Sequence, residues 1–124
     1  MAVTLYLAAM LFVALGVAHS VLGEKYILVR LFRRKDLPAL FGSTQFTSRT
    51  LRFAWHITIV AWFAFAALLA QLAQGPPTSS GVLQVIGWAA ISSGCLPLLV
   101  TRGRHVAWLI LFVIGGISLY WGAV

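Results

Sequence analysis

Of the 124 residues in this chain 61% are hydrophobic, while nine are basic and two acidic, for a net charge of +7. A water-soluble domain this small would leave much of that apolar surface wet. Nucleic acid is excluded as a partner as well, since no soluble module remains to shape a groove for it.

The charges are clustered. Seven of the nine basic residues and both acidic ones lie between Glu24 and Arg52. Around them run four apolar stretches, at about 2–22, 53–73, 82–100 and 106–124. Each approaches the ~20 residues that carry a helix across ~30 Å of hydrocarbon. Their unbroken apolar character excludes the alternating strands of a membrane barrel. The expected fold is all-α, a single domain forming an integral membrane four-helix up-down bundle.

The first run has no basic residues ahead of it and outlasts the ~7–15-residue apolar core of a secretory leader, so it reads as a retained span. Ala14 and Ala18, and Gly16 and Ser20, stand four apart, a spacing that lets helices approach closely in lipid. Beyond it, residues 24–36 carry Ile27, Leu28, Leu31 and Phe32 at helical spacing. That segment reads either as an extension of the first helix or as an amphipathic helix at the interface, stopped by Leu37-Pro38. Ser43, Thr44 or Ser48 is the expected cap of the second span.

"QGPPTSSG" is an uncharged turn, with Ser79 or Ser80 the expected cap of the third helix. Pro97 predicts a kink late in that helix, and Gly115-Gly116 a close-packing point in the fourth. Trp55, Trp88, Trp108, Tyr120 and Trp121 fall near span boundaries and read as interfacial anchors. A single cysteine, Cys95, excludes an intrachain disulfide.

Residues 24–52 and the turn Thr101-Arg102-Gly103-Arg104 hold all the basic residues. In a four-pass chain both loops fall on one side, so the positive-inside bias puts them in the cytoplasm and both termini outside. The expected location is a bacterial inner membrane, and the expected partners are anionic lipid headgroups. So small a bundle also suits association with a second copy or a larger membrane complex.

Only three histidines occur, and the topology gathers them near one surface. His19 ends the first span, His56 opens the second and His105 opens the fourth. At 1.5 Å per residue, His19 and His56 both lie about 5 Å below the same face. Cys95 lies deeper on the third span.

Three functions compete for this layer. In the first, histidines on different helices hold a transition metal such as Zn, Cu or Fe through His19, His56 and His105, with Glu24 or Cys95 completing the sphere. Alternatively, His19 and His56 supply the axial imidazoles of a b-type haem whose propionates meet Arg49 and Arg52, which points to electron transfer or redox chemistry. In the second, Arg49, Arg52 and His56 share one helical face and bind an anionic lipid or a polyprenyl phosphate, arginine's fork matching phosphate oxygens. Glu24 and His56 are then the candidates for acid–base chemistry beside the headgroup, and Ser20 shares a helical face with Glu24. In the third, the chain is a structural accessory subunit without a site. A charge relay across the membrane is excluded, because the outer half holds no carboxylate, lysine or arginine.

Overall fold

The computed structural model describes all residues, Met1–Val124. It is helical, with no strand beyond an isolated bridge between Leu40 and Ser43. Four helices follow in order: α1 (Ala2–Leu31), α2 (Gln45–Gln74), α3 (Ser79–Val100) and α4 (Ala107–Ala123). The first three, of 30, 30 and 22 residues, are long and apolar enough to cross a membrane. α4 is as apolar but has 17 residues.

Boundaries depart from the hydropathy pattern in both directions. α1 does not stop at the end of its apolar run. It continues through a π turn at Gly23–Leu28, where the Val29 N–H reaches the Glu24 carbonyl five residues back instead of four. The helix ends at Leu31, well before Pro38. Arg34 bonds Asp36 through Nε at 2.8 Å, and side chains two apart do not face each other on a helix, so this pair forms only where the backbone has left helical geometry.

α2 begins at Gln45, eight residues ahead of its apolar run at Phe53 and directly after Thr44, one of the expected caps. No Gly or Pro lies between Gly42 and Gly75 to break it. Its extra turns carry Phe46, seven residues before Phe53 and on the same side, and both rings pack against His105. Thr44 is the N-terminal boundary residue but makes no side-chain cap bond; Ser43 Oγ accepts from the Gln45 N–H at 3.4 Å. For α3 the cap is Thr78, whose Oγ1 accepts from the Gly81 N–H at 3.0 Å. Ser80 is used elsewhere, donating to the Gly122 carbonyl of α4. α3 runs through Pro97 to Val100, and the Thr101 N–H and hydroxyl both close onto the Pro97 carbonyl.

Each helix packs on its neighbours in sequence: α1 on α2, α2 on α3, α3 on α4. α1 and α4 do not close the set into a ring, so the expected bundle is an open row. Only 14 residues are buried, and most of them are Gly, Ala or Ser. The large apolar side chains point outward, among them Leu11, Ile110 and Ile117. Water would reverse that distribution. In lipid, where tails are as apolar as leucine, closing a ring gains nothing and helices associate through small residues that let backbones approach.

The α3–α4 seam shows this most clearly. A Cβ on Gly87 would lie 2.6 Å from Leu119 Cγ and 3.1 Å from the Leu119 backbone nitrogen. One on Gly115 would meet Ile91 at 2.7 Å and the Gly87 carbonyl at 3.0 Å, whereas one on Gly116 would meet nothing within 4 Å. The expected close-packing pair is thus divided between a contact residue and an open one. Gly87→Ala is expected to cost about 1–3 kcal/mol through overpacking, while Gly116→Ala leaves stability unchanged or raises it slightly. Thermal melts of the two variants in the same detergent check this; equal melting temperatures would remove the seam from the account.

Candidate functional site

At the end of the α1–α2 pair where the basic loops gather, four polar side chains form a continuous row. Ser20 and Glu24 stand one turn apart on α1, which places both on the face toward α2. His56 of α2 sits between them, Nδ1 3.1 Å from Ser20 Oγ and Nε2 3.1 Å from Glu24 Oε2. Arg52, one turn earlier on α2, places Nη2 2.9 Å from the other carboxylate oxygen, Oε1. Its guanidinium also lies over the Phe32 ring, 4.9 Å from the centroid. The row is partly shielded, with the His56, Glu24 and Arg52 side chains 24%, 35% and 41% exposed.

These contacts decide the histidine tautomer. An ionised carboxylate only accepts, so Nε2 carries the proton toward Glu24. In the neutral ring Nδ1 is then a bare lone pair that accepts from the Ser20 hydroxyl. Arg52 neutralises Glu24 from its far side and holds it in place.

Close approach of the backbones makes the row possible. A Cβ on Gly23 would fall 2.2 Å from Trp55 Nε1, and one on Gly16 would fall 3.1 Å from Ile59. The Trp55 indole lies against Gly23 and donates from Nε1 to the His19 carbonyl at 3.2 Å. The His19 ring stacks on the same indole, centroids 4.4 Å apart and 8° from parallel, with the edge of Trp62 at 5.0 Å. Trp55 is therefore a packing element between two helices, in contrast to the anchoring role expected from its position near a boundary.

The three histidines are not gathered around one point. His56 has both ring nitrogens engaged by Ser20 and Glu24, His19 is sandwiched by tryptophans, and its Nε2 is buried without a partner. His105 serves the start of α4: its N–H donates to Thr101 Oγ1 at 3.1 Å, and its Nδ1 accepts from the Ala107 N–H at 3.3 Å. Cys95 is a half-buried free thiol on α3. No group of three or more His, Cys, Asp or Glu side chains is arranged to hold a metal ion. Similar depth, which paired His19 with His56 in the sequence, did not set them around one point; of the candidate ligands only Glu24 meets His56.

Arg49 is half-buried on α2, one turn ahead of Arg52, and makes no ion pair. Both acids are already matched to an arginine, Glu24 to Arg52 and Asp36 to Arg34. Hydrogen bonds from Arg34 hold the exposed Asp36 carboxyl at about 2, well below its usual range. The remaining cations, Lys25, Arg30, Arg33, Lys35, Arg49, Arg102 and Arg104, have no acidic partner. No protein-family profile, curated protein sequence or solved structure matches this chain.

Two participants escaped the sequence reading. Gly23 gave no sign of a packing role and is the seat of an indole. Ser20 was visible as a neighbour of Glu24, but its bond to His56 depends on how α2 is rotated. Gly23→Ala is expected to displace Trp55, break its bond to His19 and cost about 1–3 kcal/mol. A lowered melting temperature together with altered tryptophan emission would show it, and a melt and emission like the parent's would contradict the contact.

Proposed function

We propose that this chain is an integral membrane protein of four antiparallel passes that binds a phosphate-bearing anionic lipid at its basic end. Both termini lie on the non-cytoplasmic side of a bacterial inner membrane. α4, with the flanking Val106 and Val124, supplies the shortest pass, within the range of 17–25 residues that spanning helices occupy.

One observation carries the lipid reading. The two carboxylates are each taken by an arginine, and seven cations without acidic partners remain at one end of the helix row. A surface of that kind gains about 1 kcal/mol per cation against anionic headgroups. Within it Arg49 is the best-placed phosphate ligand. It is half-buried, lies on the face that leads to Arg52 and His56, and keeps its whole donor fork free. Arg52 offers the phosphate the donors that Glu24 does not use. His56 and Glu24 stand one turn along the same row, a proton donor and acceptor at the headgroup's edge.

Native mass spectrometry after gentle extraction tests this. Phosphatidylglycerol is expected to remain bound in preference to phosphatidylcholine. Arg49→Gln should weaken retention about 10–100-fold, the worth of a charge-assisted hydrogen bond. Equal retention of the two lipids, or no effect of Arg49→Gln, would reject the site.

A metal or haem function is the second reading, and the buried, unpartnered His19 Nε2 is what favours it. Ligation by His56 as well would require that residue to leave both Ser20 and Glu24. Absorption spectra before and after dithionite, with metal analysis of the same sample, decide the matter. A haem band or stoichiometric metal that disappears in His19→Ala would establish it, and a colourless, metal-free protein would leave lipid binding or a purely structural accessory role.

A further inference from the structure

We infer that Ser20, His56 and Glu24 form an acyl-transfer centre that acts on the ester of an anionic glycerolipid, an inference that rests on the headgroup reading above. A hydroxyl bonded to a bare imidazole nitrogen, with the opposite nitrogen bonded to a carboxylate, is the arrangement that activates a serine nucleophile. Here both distances are 3.1 Å, and Arg52 fixes the carboxylate from behind at 2.9 Å. The hydroxyl meets Nδ1 and the carboxylate Nε2, and either imidazole nitrogen serves as the base when the other is held protonated.

The depth of the row selects the substrate. Four residues of helix separate Ser20 from Glu24 and His56 from Arg52, a rise of about 6 Å along each axis. A lipid whose phosphate meets Arg49 and Arg52 therefore brings its ester carbonyls, which lie just below the phosphate, to the level of Ser20. An apolar groove of about 440 Å³ lies along the α1–α2 pair at the same depth, lined by Leu15, His19, Leu22, Gly23, Tyr26 and Trp55, with none of the four row residues in its wall.

Ser20 Oγ attacks the ester carbonyl carbon while His56 Nδ1 takes its proton, and Glu24 stabilises the imidazolium. As the tetrahedral adduct collapses, the bond from carbonyl carbon to glycerol oxygen breaks, and His56 returns the proton to that oxygen. Lysolipid leaves and Ser20 carries the acyl group. Water then attacks the acyl-serine with His56 as base, releasing the fatty acid and restoring Ser20. Ser20 and His56 are the catalytic residues, and Glu24 is a positioning residue acting through His56. Ser20 lies inside a helix, so its own N–H is committed to the backbone, and the oxyanion depends on side-chain donors. Loss of an oxyanion donor costs about 10²–10³ in rate, so the expected turnover is slow and covalent capture is the sensitive readout.

The experiment treats the full-length protein, in nanodiscs containing phosphatidylglycerol, with a fluorophosphonate probe and locates the adduct by peptide mass spectrometry. The expected adduct is on Ser20, absent in Ser20→Ala and slowed at least 100-fold in His56→Gln, in line with the worth of a positioned base. Glu24→Gln should slow capture and mix the His56 tautomers seen by ¹⁵N NMR, while Glu24→Asp restores part of the rate. Lipid retention and melting temperature are measured on the same samples. Protein that melts normally and retains phosphatidylglycerol, yet shows no Ser20 adduct, overturns the acyl-transfer centre and leaves lipid binding standing. A Ser20 adduct without preferential lipid retention keeps the nucleophile and rejects the anionic substrate.

Discussion

Where helices are surrounded by hydrocarbon, burying leucine gains nothing, and what holds them together is how closely their backbones can approach. Gly16 and Gly23 grant that approach between α1 and α2, and Gly87, Gly94 and Gly115 grant it between α3 and α4. The remaining contacts follow. With Gly23 bare, the Trp55 indole settles on the α1 backbone, His19 stacks on the indole, and α2 is brought in at a rotation that points His56 between Ser20 and Glu24. A polar row forms at one end of the pair because a glycine inside it leaves room.

The same closeness resolves the cost of placing charge near lipid. Glu24 would be expensive alone at this depth. Between Arg52 and His56 it has a partner on each oxygen. Arg34 and Asp36 settle their own account in the loop. The seven cations left over lie at the same end of the molecule as the polar row.

Much of this was legible in the sequence, to different depths. Hydropathy located the apolar spans well because it reports the solvent each segment needs. It did not mark the start of α2, since Gln45–Arg52 is polar yet helical; the cap candidates Ser43 and Thr44 marked it instead. Spacing along one helix was reliable: Ser20 and Glu24 share a face as their four-residue interval requires. Contacts across helices were not. His19 and His56 agree in depth, but depth fixes one coordinate of a side chain and the rotation of each helix fixes another. That rotation is set where the Trp55 indole seats on Gly23, and Trp55 read from its position as an interfacial anchor. His105 looked like a ligand because of its type and acts as a helix-start residue because of its backbone neighbours.

The open row has a meaning for how the protein is assembled. The helix-to-helix packing joins consecutive helices, and the Phe46 and Phe53 contacts with His105 are the ones that wait for a distant part of the chain. As the polypeptide emerges in order, α1 and α2 form a complete hairpin, with Ser20, Glu24, Arg52 and His56 already joined, before α3 has been made. α3 and α4 then add as a second hairpin along the open side of α2. All four members of the polar row thus lie within the first 74 residues, on the α1–α2 hairpin.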